Sequence, residues 1–141
     1  MEFRFIATTA VVIFGTGLAL AACATTPTSE EDKLLAAGAQ RISDADMMTR
    51  YVGNTLSGTT PDGAAFHVFI TDNGRFAMDY QGERSQGTWR VDPQGRFCSR
   101  VGQDEEFCTR EYLLNGKIKS INDDGSLAGS ARIRSGNPEG L

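Results

Sequence analysis

The segment Gly87–Cys108 reads G-T-W-R-V-D-P-Q-G-R-F-C-S-R-V-G-Q-D-E-E-F-C and holds the only tryptophan of the chain. Within it, D-P-Q-G-R at residues 92–96 places proline at the second turn position and glycine where a left-handed residue is needed. This pattern is typical of a hairpin closed by a bulged type I turn. The hairpin pairs Trp89 with Ser99, and one alternation of inward and outward side chains can be extended from it in both directions.

Turn signals recur along the rest of the second half: T-P-D-G-A at 60–64, D-N-G at 72–74, N-G at 115–116 and D-G at 124–125. A bulged loop at 72–74 places the apolar residues of both flanking strands on one face, whereas a two-residue turn would divide them, so the bulged loop is favoured. An even-sized loop after Tyr80 is expected to bring Trp89 opposite Met78 or Phe76. The inward-facing set is then Leu56, Phe66, Val68, Ile70, Phe76, Met78, Tyr80, Trp89, Val91, Phe97, Val101, Phe107, Leu113, Ile118, Leu127, Ala131 and Ile133.

These hairpins predict an all-β fold: a small antiparallel up-and-down barrel of about eight strands, a lipocalin-like meander preceded by one short helix. Closure is expected because an open sheet of this size would leave two unpaired edges. A flattened β-sandwich is the alternative. The helix is predicted from Asp44 to about Val52, with Ser43 as its N-cap, Asp46 completing the cap and Gly53 ending it.

Cys98 and Cys108 fall opposite each other on neighbouring strands and on the outer face. In an oxidising compartment they are expected to form a disulfide that closes a loop of about ten residues and contributes roughly 2–3 kcal/mol. No metal site is expected, because the single histidine, His67, lies on another strand and the chain has no C-x-x-C spacing.

The N-terminal residues have the pattern of a targeting signal. An apolar run without charges, Ile6–Ala22, follows a short segment with one basic residue and ends in L-A-A-C at residues 20–23. This ending resembles the lipobox of bacterial lipoproteins, which implies acylation of Cys23 and anchorage in the membrane by its acyl chains. Alanine after that cysteine resembles lipoproteins sorted to the outer membrane, so we expect the periplasmic face of the outer membrane.

The domain organisation follows from these observations. Residues 1–22 are expected to be a lipoprotein signal peptide, and residues 23–42 the lipidated cysteine with a polar tether, disordered as far as Asp32. From Lys33 the segment either begins a short helix or packs onto the domain. Residues 43–135 form the helix and barrel, and residues 136–141 a C-terminal tail.

The composition limits the function. A net charge of −4 without a basic block argues against a nucleic-acid binder. His67 is expected opposite Asp79 on the outer face, where a cross-strand pair is far commoner than part of a catalytic triad. Ser57 and Ser85 lack the surroundings of a nucleophile. We therefore expect that the protein is not an enzyme and has no catalytic residue and no cofactor. We also expect a monomer.

Two groups of residues are candidates for binding. Glu111 faces inward by the same alternation, beside Thr109, opposite Ser120 and near Ser99. Either these four residues form the polar end of a ligand cavity, or Glu111 lies near a barrel mouth and reaches water. The second group is an outer patch of arginines that either docks an acidic partner or is a solvated face with nearby glutamates. In it Arg100 is expected to meet Glu106, and Arg96 to face Arg110, which is unfavourable unless an acidic group joins them. Its members are Arg90, Arg96, Arg100 and Arg110.

Three further resemblances bear on function. The pattern G-N-T at 53–55, D-G at 62–63 with Phe66, G-x-W at 87–89, and G-x-F-C at 95–98 with a second cysteine is similar to a family of small secreted bacterial domains of unknown function. The G-T-W motif resembles the G-x-W of lipocalins, and the architecture resembles envelope β-barrel inhibitors of proteases and lysozymes. The expected function is a non-enzymatic binding or envelope-interaction module on the outer membrane, with a small ligand or an envelope protein as partner; an inhibitor is the alternative.

Overall fold

The computed structural model describes residues 29–141. The predicted signal peptide and the lipidation site Cys23 therefore lie outside the described residues. The elements are α1 (Glu30–Ala36), β1 (Gln40–Arg41), α2 (Asp44–Tyr51), β2 (Asn54–Thr59), β3 (Ala65–Ile70), β4 (Arg75–Tyr80), β5 (Glu83–Val91), β6 (Phe97–Val101), β7 (Phe107–Leu114), β8 (Lys117–Ile121) and β9 (Leu127–Ser135). Among these residues no helix is both long enough and apolar enough to cross a lipid bilayer.

Strands β2 to β9 form the predicted up-and-down barrel. Each pairs antiparallel with the next along the chain, and β9 pairs back with β2, which closes the sheet. The short strand β1 pairs with the second half of β7, where β6 has ended. The predicted fold is confirmed, and the flattened sandwich is not formed because no sheet edge is left open between β2 and β9.

The predicted register is confirmed at most hairpins. Val68 lies opposite Leu56 on one side and Met78 on the other, as expected for the bulged loop at 72–74, and Trp89 lies opposite Ser99. All of these residues line the interior or its core cluster. One alternation therefore does sort the barrel into an apolar interior and an outer face.

The prediction that Trp89 lies opposite Met78 or Phe76 is wrong. A tight turn at Gln81–Gly82, with both residues at positive φ, brings Gly87 opposite Phe76 instead. A side chain at residue 87 would have its Cβ 2.5 Å from the Phe76 ring and 2.1 Å from the Arg100 carbonyl oxygen. Trp89 lies further along the strand, where its backbone N–H donates to the Gly74 carbonyl oxygen at 2.9 Å.

Helix α2 fills one end of the barrel, which we call the closed end. Its predicted cap is present, since the Asp46 backbone N–H donates to Ser43 Oγ at 3.2 Å. Met47 and Tyr51 are completely buried among the core residues of the sheet, and the Tyr51 ring packs edge-on against Phe97 with centroids 5.7 Å apart. The half of the barrel at the closed end is therefore filled by a hydrophobic core.

The expectations of a single helix and of a disordered tether as far as Asp32 are corrected. Helix α1 begins at Glu30, because Ser29 and Asp32 form a reciprocal capping box with two bonds of 3.1 Å. The Glu31 backbone N–H donates to the Gly125 carbonyl oxygen at 3.1 Å, and its carboxylate pairs with Arg110 at 2.7 Å. These contacts hold α1 against the outer wall of the barrel.

The predicted disulfide joins Cys98 to Cys108, directly opposite each other on β6 and β7. The C-terminal residues 136–141 also pack on the barrel, since the Arg84 guanidinium donates to the backbone carbonyl oxygens of Glu139 and Gly140, each at 3.1 Å. The disulfide lies on the outer face of the sheet, where Cys98 is nevertheless fully buried, and the tail packs on the outside of the barrel, so both leave the interior free.

Candidate functional site

In the half of the barrel away from α2, side chains do not fill the interior completely. A cavity of about 410 Å³ opens at the end formed by the loops 60–64, 81–82, 102–106 and 122–126, which we call the mouth. This volume lies in the range of small-molecule sites. Its lining is mainly apolar and consists of Leu56, Thr60, Phe66, Val68, Met78, Tyr80, Phe97, Ser99, Phe107, Thr109, Glu111, Ser120, Ala128 and Gly129.

Glu111 lies inside this cavity and is only 2% exposed. It faces inward opposite Ser120, as predicted, so its carboxylate is not at the barrel end in contact with bulk water. Oε1 accepts a hydrogen bond from the Thr109 hydroxyl at 2.6 Å, and Oε2 accepts bonds of 3.0 Å from the hydroxyls of Tyr51 and Ser120. This cluster, which we call the Glu111 cluster, forms the polar part of an otherwise apolar lining.

Burial controls the ionisation of this cluster. Removal from water raises the pKa of Glu111 above its ordinary value of 4.5, and the three hydroxyl bonds oppose that rise because they favour the charged form. The pKa of Tyr51 is also raised, mainly because its hydroxyl is buried and secondly because the Glu111 carboxylate is adjacent. Tyr51 therefore stays protonated and donates its hydrogen bond.

All four residues of the predicted ligand-binding group line the same cavity. Thr109 and Ser120 bond directly to Glu111, whereas Ser99 contributes a hydroxyl elsewhere on the wall. Sequence reasoning missed Tyr51, which completes the cluster from α2. Its position in an apolar helical stripe predicts core packing, and nothing in the local sequence indicates that its hydroxyl reaches a residue 60 positions away.

Two aromatic residues surround the mouth. Phe107 is 54% exposed and Tyr80 is 37% exposed, although both side chains also line the cavity. Sequence alternation predicts that they face inward, which is correct. Their exposure arises because both lie at strand ends, where no further layer of side chains covers them.

The arginine patch is largely neutralised by carboxylates. Asp123 supplies the acidic group that the predicted Arg96–Arg110 pair requires, since it contacts Arg96 at 2.8 Å and Arg110 at 3.3 Å. Glu106 pairs with Arg90, so the expected Arg100–Glu106 pair is replaced by a neighbouring one. Because the carboxylates that pair with these arginines belong to the same chain, the patch does not present four uncompensated charges to a partner.

His67 lies opposite Asp79, as the register predicts, but bonds elsewhere. Its Nδ1 lies 2.8 Å from Ser57 Oγ and 4.0 Å from a Glu139 carboxylate oxygen, while Asp79 accepts from the Gly82 backbone N–H at 2.8 Å. A catalytic triad requires the hydroxyl and the acid on different ring nitrogens. The contacts of His67 are those of a partly buried residue that ties β3 to its neighbours.

Among residues 29–141 one group of potential metal-binding side chains lies close together: Asp92, Cys98 and Cys108. Both of its sulfur atoms belong to the disulfide and are not available as thiolates. The cavity is therefore the feature with the clearest binding geometry.

Comparison with protein-family models, with curated proteins and with solved structures finds no match to this chain.

Proposed function

We propose that the domain is a non-enzymatic binding protein that holds a small, largely apolar molecule in the open half of the barrel. The molecule lies against the hydrophobic wall and directs one hydrogen-bond donor toward the Glu111 cluster. The observation that carries this proposal is the cavity of about 410 Å³ with a single buried carboxylate in its lining.

The distribution of side chains supports this proposal. Helix α2 packs the closed end and completes a hydrophobic core there. The half of the barrel at the mouth therefore does not have to be filled for the domain to have a core. A mainly apolar wall with a few convergent polar groups is the usual composition of a ligand site. An inhibitor, the alternative considered from sequence, would bind through a protruding loop and has no need for an interior cavity.

We also propose that the protein is a lipoprotein of the outer membrane with its domain in the periplasm, on the strength of the L-A-A-C sequence at 20–23. Ser29 lies beside Gly125 in a loop of the mouth. The six residues from Cys23 to Ser29 span at most about 21 Å, whereas a domain of this size is roughly 35 Å across. Acylated Cys23 would therefore keep the mouth side of the barrel near the membrane.

The anchor is tested by expression of the full chain in a bacterium fed with a labelled fatty acid. The wild type is expected to incorporate label and to sediment with the outer membrane. The Cys23→Ala variant is expected to do neither. A wild-type chain that is secreted without label would refute the lipoprotein proposal and leave the cavity proposal unaffected.

The binding proposal is tested with N-phenyl-1-naphthylamine, an apolar dye with one N–H donor that fluoresces in apolar surroundings. We expect saturable binding with a Kd on the order of 10 μM, from typical binding energies per ligand atom. The variant Gly129→Leu places a side chain in the cavity and is expected to abolish binding, whereas Gly129→Ala is the matched control. Absence of dye binding to the folded wild type, or equal binding by the leucine variant, would refute the proposal.

A further inference from the structure

The three donors to Glu111 leave one of its acceptor positions unused. A carboxylate offers about four lone-pair positions on its two oxygens. Oε2 uses both of its positions for Tyr51 and Ser120, while Oε1 accepts only from Thr109. A ligand in the cavity therefore has one position at Oε1 to which it can donate.

The cluster also lacks a contacting cation. All three donors are neutral hydroxyls, and no ion pair with Glu111 occurs among residues 29–141. The positive charge of Arg41 acts on the Glu111 carboxylate without contacting it and favours its charged form. The Arg41 guanidinium itself donates to the carbonyl oxygens of Gln94 and Gly95. A buried carboxylate without a bonded countercharge is unfavourable, and a cation that fills the open position would relieve this.

A second, independent observation is the negative charge around the mouth. Five exposed carboxylates occupy its four loops and their borders, and none forms an ion pair with a lysine or arginine of the described chain. We call these residues the acidic rim: Asp62, Glu83, Asp104, Glu105 and Asp124. A concave site bordered by one sign of charge raises the local concentration of ligands of the opposite sign.

We propose that the cavity selects amphipathic amines: molecules with an apolar body and one ammonium group that binds Glu111 Oε1. This inference rests on the proposed binding function and names its ligand class. The ammonium group supplies both the missing donor and the missing charge. The apolar body then lies along Phe66, Met78 and Phe107 toward the mouth.

The polar group alone decides the preference among molecules of equal length. An alcohol can donate one neutral hydrogen bond at the same position but supplies no charge. A carboxylate ligand places like charges together and is disfavoured. Because hydrogen bonds between charged groups are the stronger class, we expect the amine to bind about tenfold more tightly than the alcohol.

The test is calorimetric titration of the wild-type domain with octylamine, 1-octanol and octanoate near pH 7. The expected order of affinity is amine, alcohol, carboxylate. Glu111→Gln is expected to reduce the amine to within about twofold of the alcohol. The double variant Asp104→Asn/Glu105→Gln leaves the cluster intact and is expected to weaken amine binding at low ionic strength only, since rim charges act through solvent.

The outcomes separate the two proposals. Equal affinity of amine and alcohol in the wild type, or a full tenfold preference retained by Glu111→Gln, would overturn the amine inference alone. Failure of all three octyl compounds and of the dye to bind would overturn the binding function and this inference with it. The wild-type series is decisive on its own if the glutamine variant does not fold.

Discussion

Gly129 offers a direct test of the incompletely filled half of the barrel, because one substitution there is expected to raise stability and to abolish dye binding together. Gly129 is inward-facing, lies opposite Ser120 and does not have positive φ. A Cβ at this position would lie 3.5 Å from the Phe66 ring and from the Thr59 carbonyl oxygen, which is ordinary contact. The remainder of a leucine side chain would extend into the cavity.

The size of the effect follows from two contributions. Complete burial of a leucine side chain contributes about 1.5–3 kcal/mol, and a site open on one side provides about half of this, roughly 1 kcal/mol. Replacement of glycine within a strand adds about 0.5–1 kcal/mol because the unfolded chain loses freedom. The sum is about 2 kcal/mol, and with an unfolding entropy of about 2.1 cal/mol/K per residue over 113 residues, Tm rises by roughly 8 °C.

The assay combines thermal unfolding followed by circular dichroism with titration of N-phenyl-1-naphthylamine. Gly129→Leu is expected to show the higher Tm and no dye binding. Gly129→Ala gains only the backbone contribution and is expected to bind dye as the wild type does. A leucine variant that is less stable than wild type and still binds dye would show that this position does not face an empty cavity.

Three other predictions concern the fold and the Glu111 cluster. Replacing Cys98 and Cys108 by alanine opens a loop with a sequence separation of 10 and is expected to reduce the free energy of unfolding by about 2.7 kcal/mol and Tm by roughly 11 °C; reductant should have the same effect on the wild type, and an unchanged Tm in both would contradict it. Gly87→Ala is expected to destabilise by about 1–3 kcal/mol, since its Cβ would overlap the Phe76 ring and a backbone oxygen; urea unfolding that matches wild type would refute this crowding. Because burial raises the folded-state pKa of Glu111 above 4.5, its contribution to stability is fully present below that pH and is lost as pH rises through the folded pKa. Glu111→Gln should therefore gain stability relative to wild type as pH rises above 4.5, and a constant difference in urea titrations would argue against a raised pKa.

The sequence was sufficient to predict the barrel because its turns specify register. Proline and glycine at 61–63 and 93–95 define loops of known length, and a register error of one residue would turn Val68 away from the core. The opposed cysteines follow from the same register. The turn after Tyr80 has the predicted even size but is shorter than predicted, because its Q-G sequence is a weaker signal. Only the three-dimensional crowding around Gly87 shows why glycine must lie opposite Phe76.

The candidate site was predictable only in part. Alternation along β7 places Glu111 inside with Thr109 and Ser120, since this is a property of a single strand pair. The contribution of Tyr51 depends on how α2 enters the barrel, and the cavity at the mouth depends on what α2 leaves unfilled. Pairing of Arg110 with Glu31 was also beyond prediction, because it requires the position of a helix that has no register with the sheet.

The uneven filling of the barrel has a practical consequence for protein engineering. Residues that fold the domain, such as Met47 and Trp89, lie around α2, whereas Tyr80 and Phe107 line the open space without belonging to that core. Wall positions of the second kind can be varied in a library with little risk to the scaffold. Such a library would yield a set of small stable receptors with altered selectivity, each retaining the same closed base.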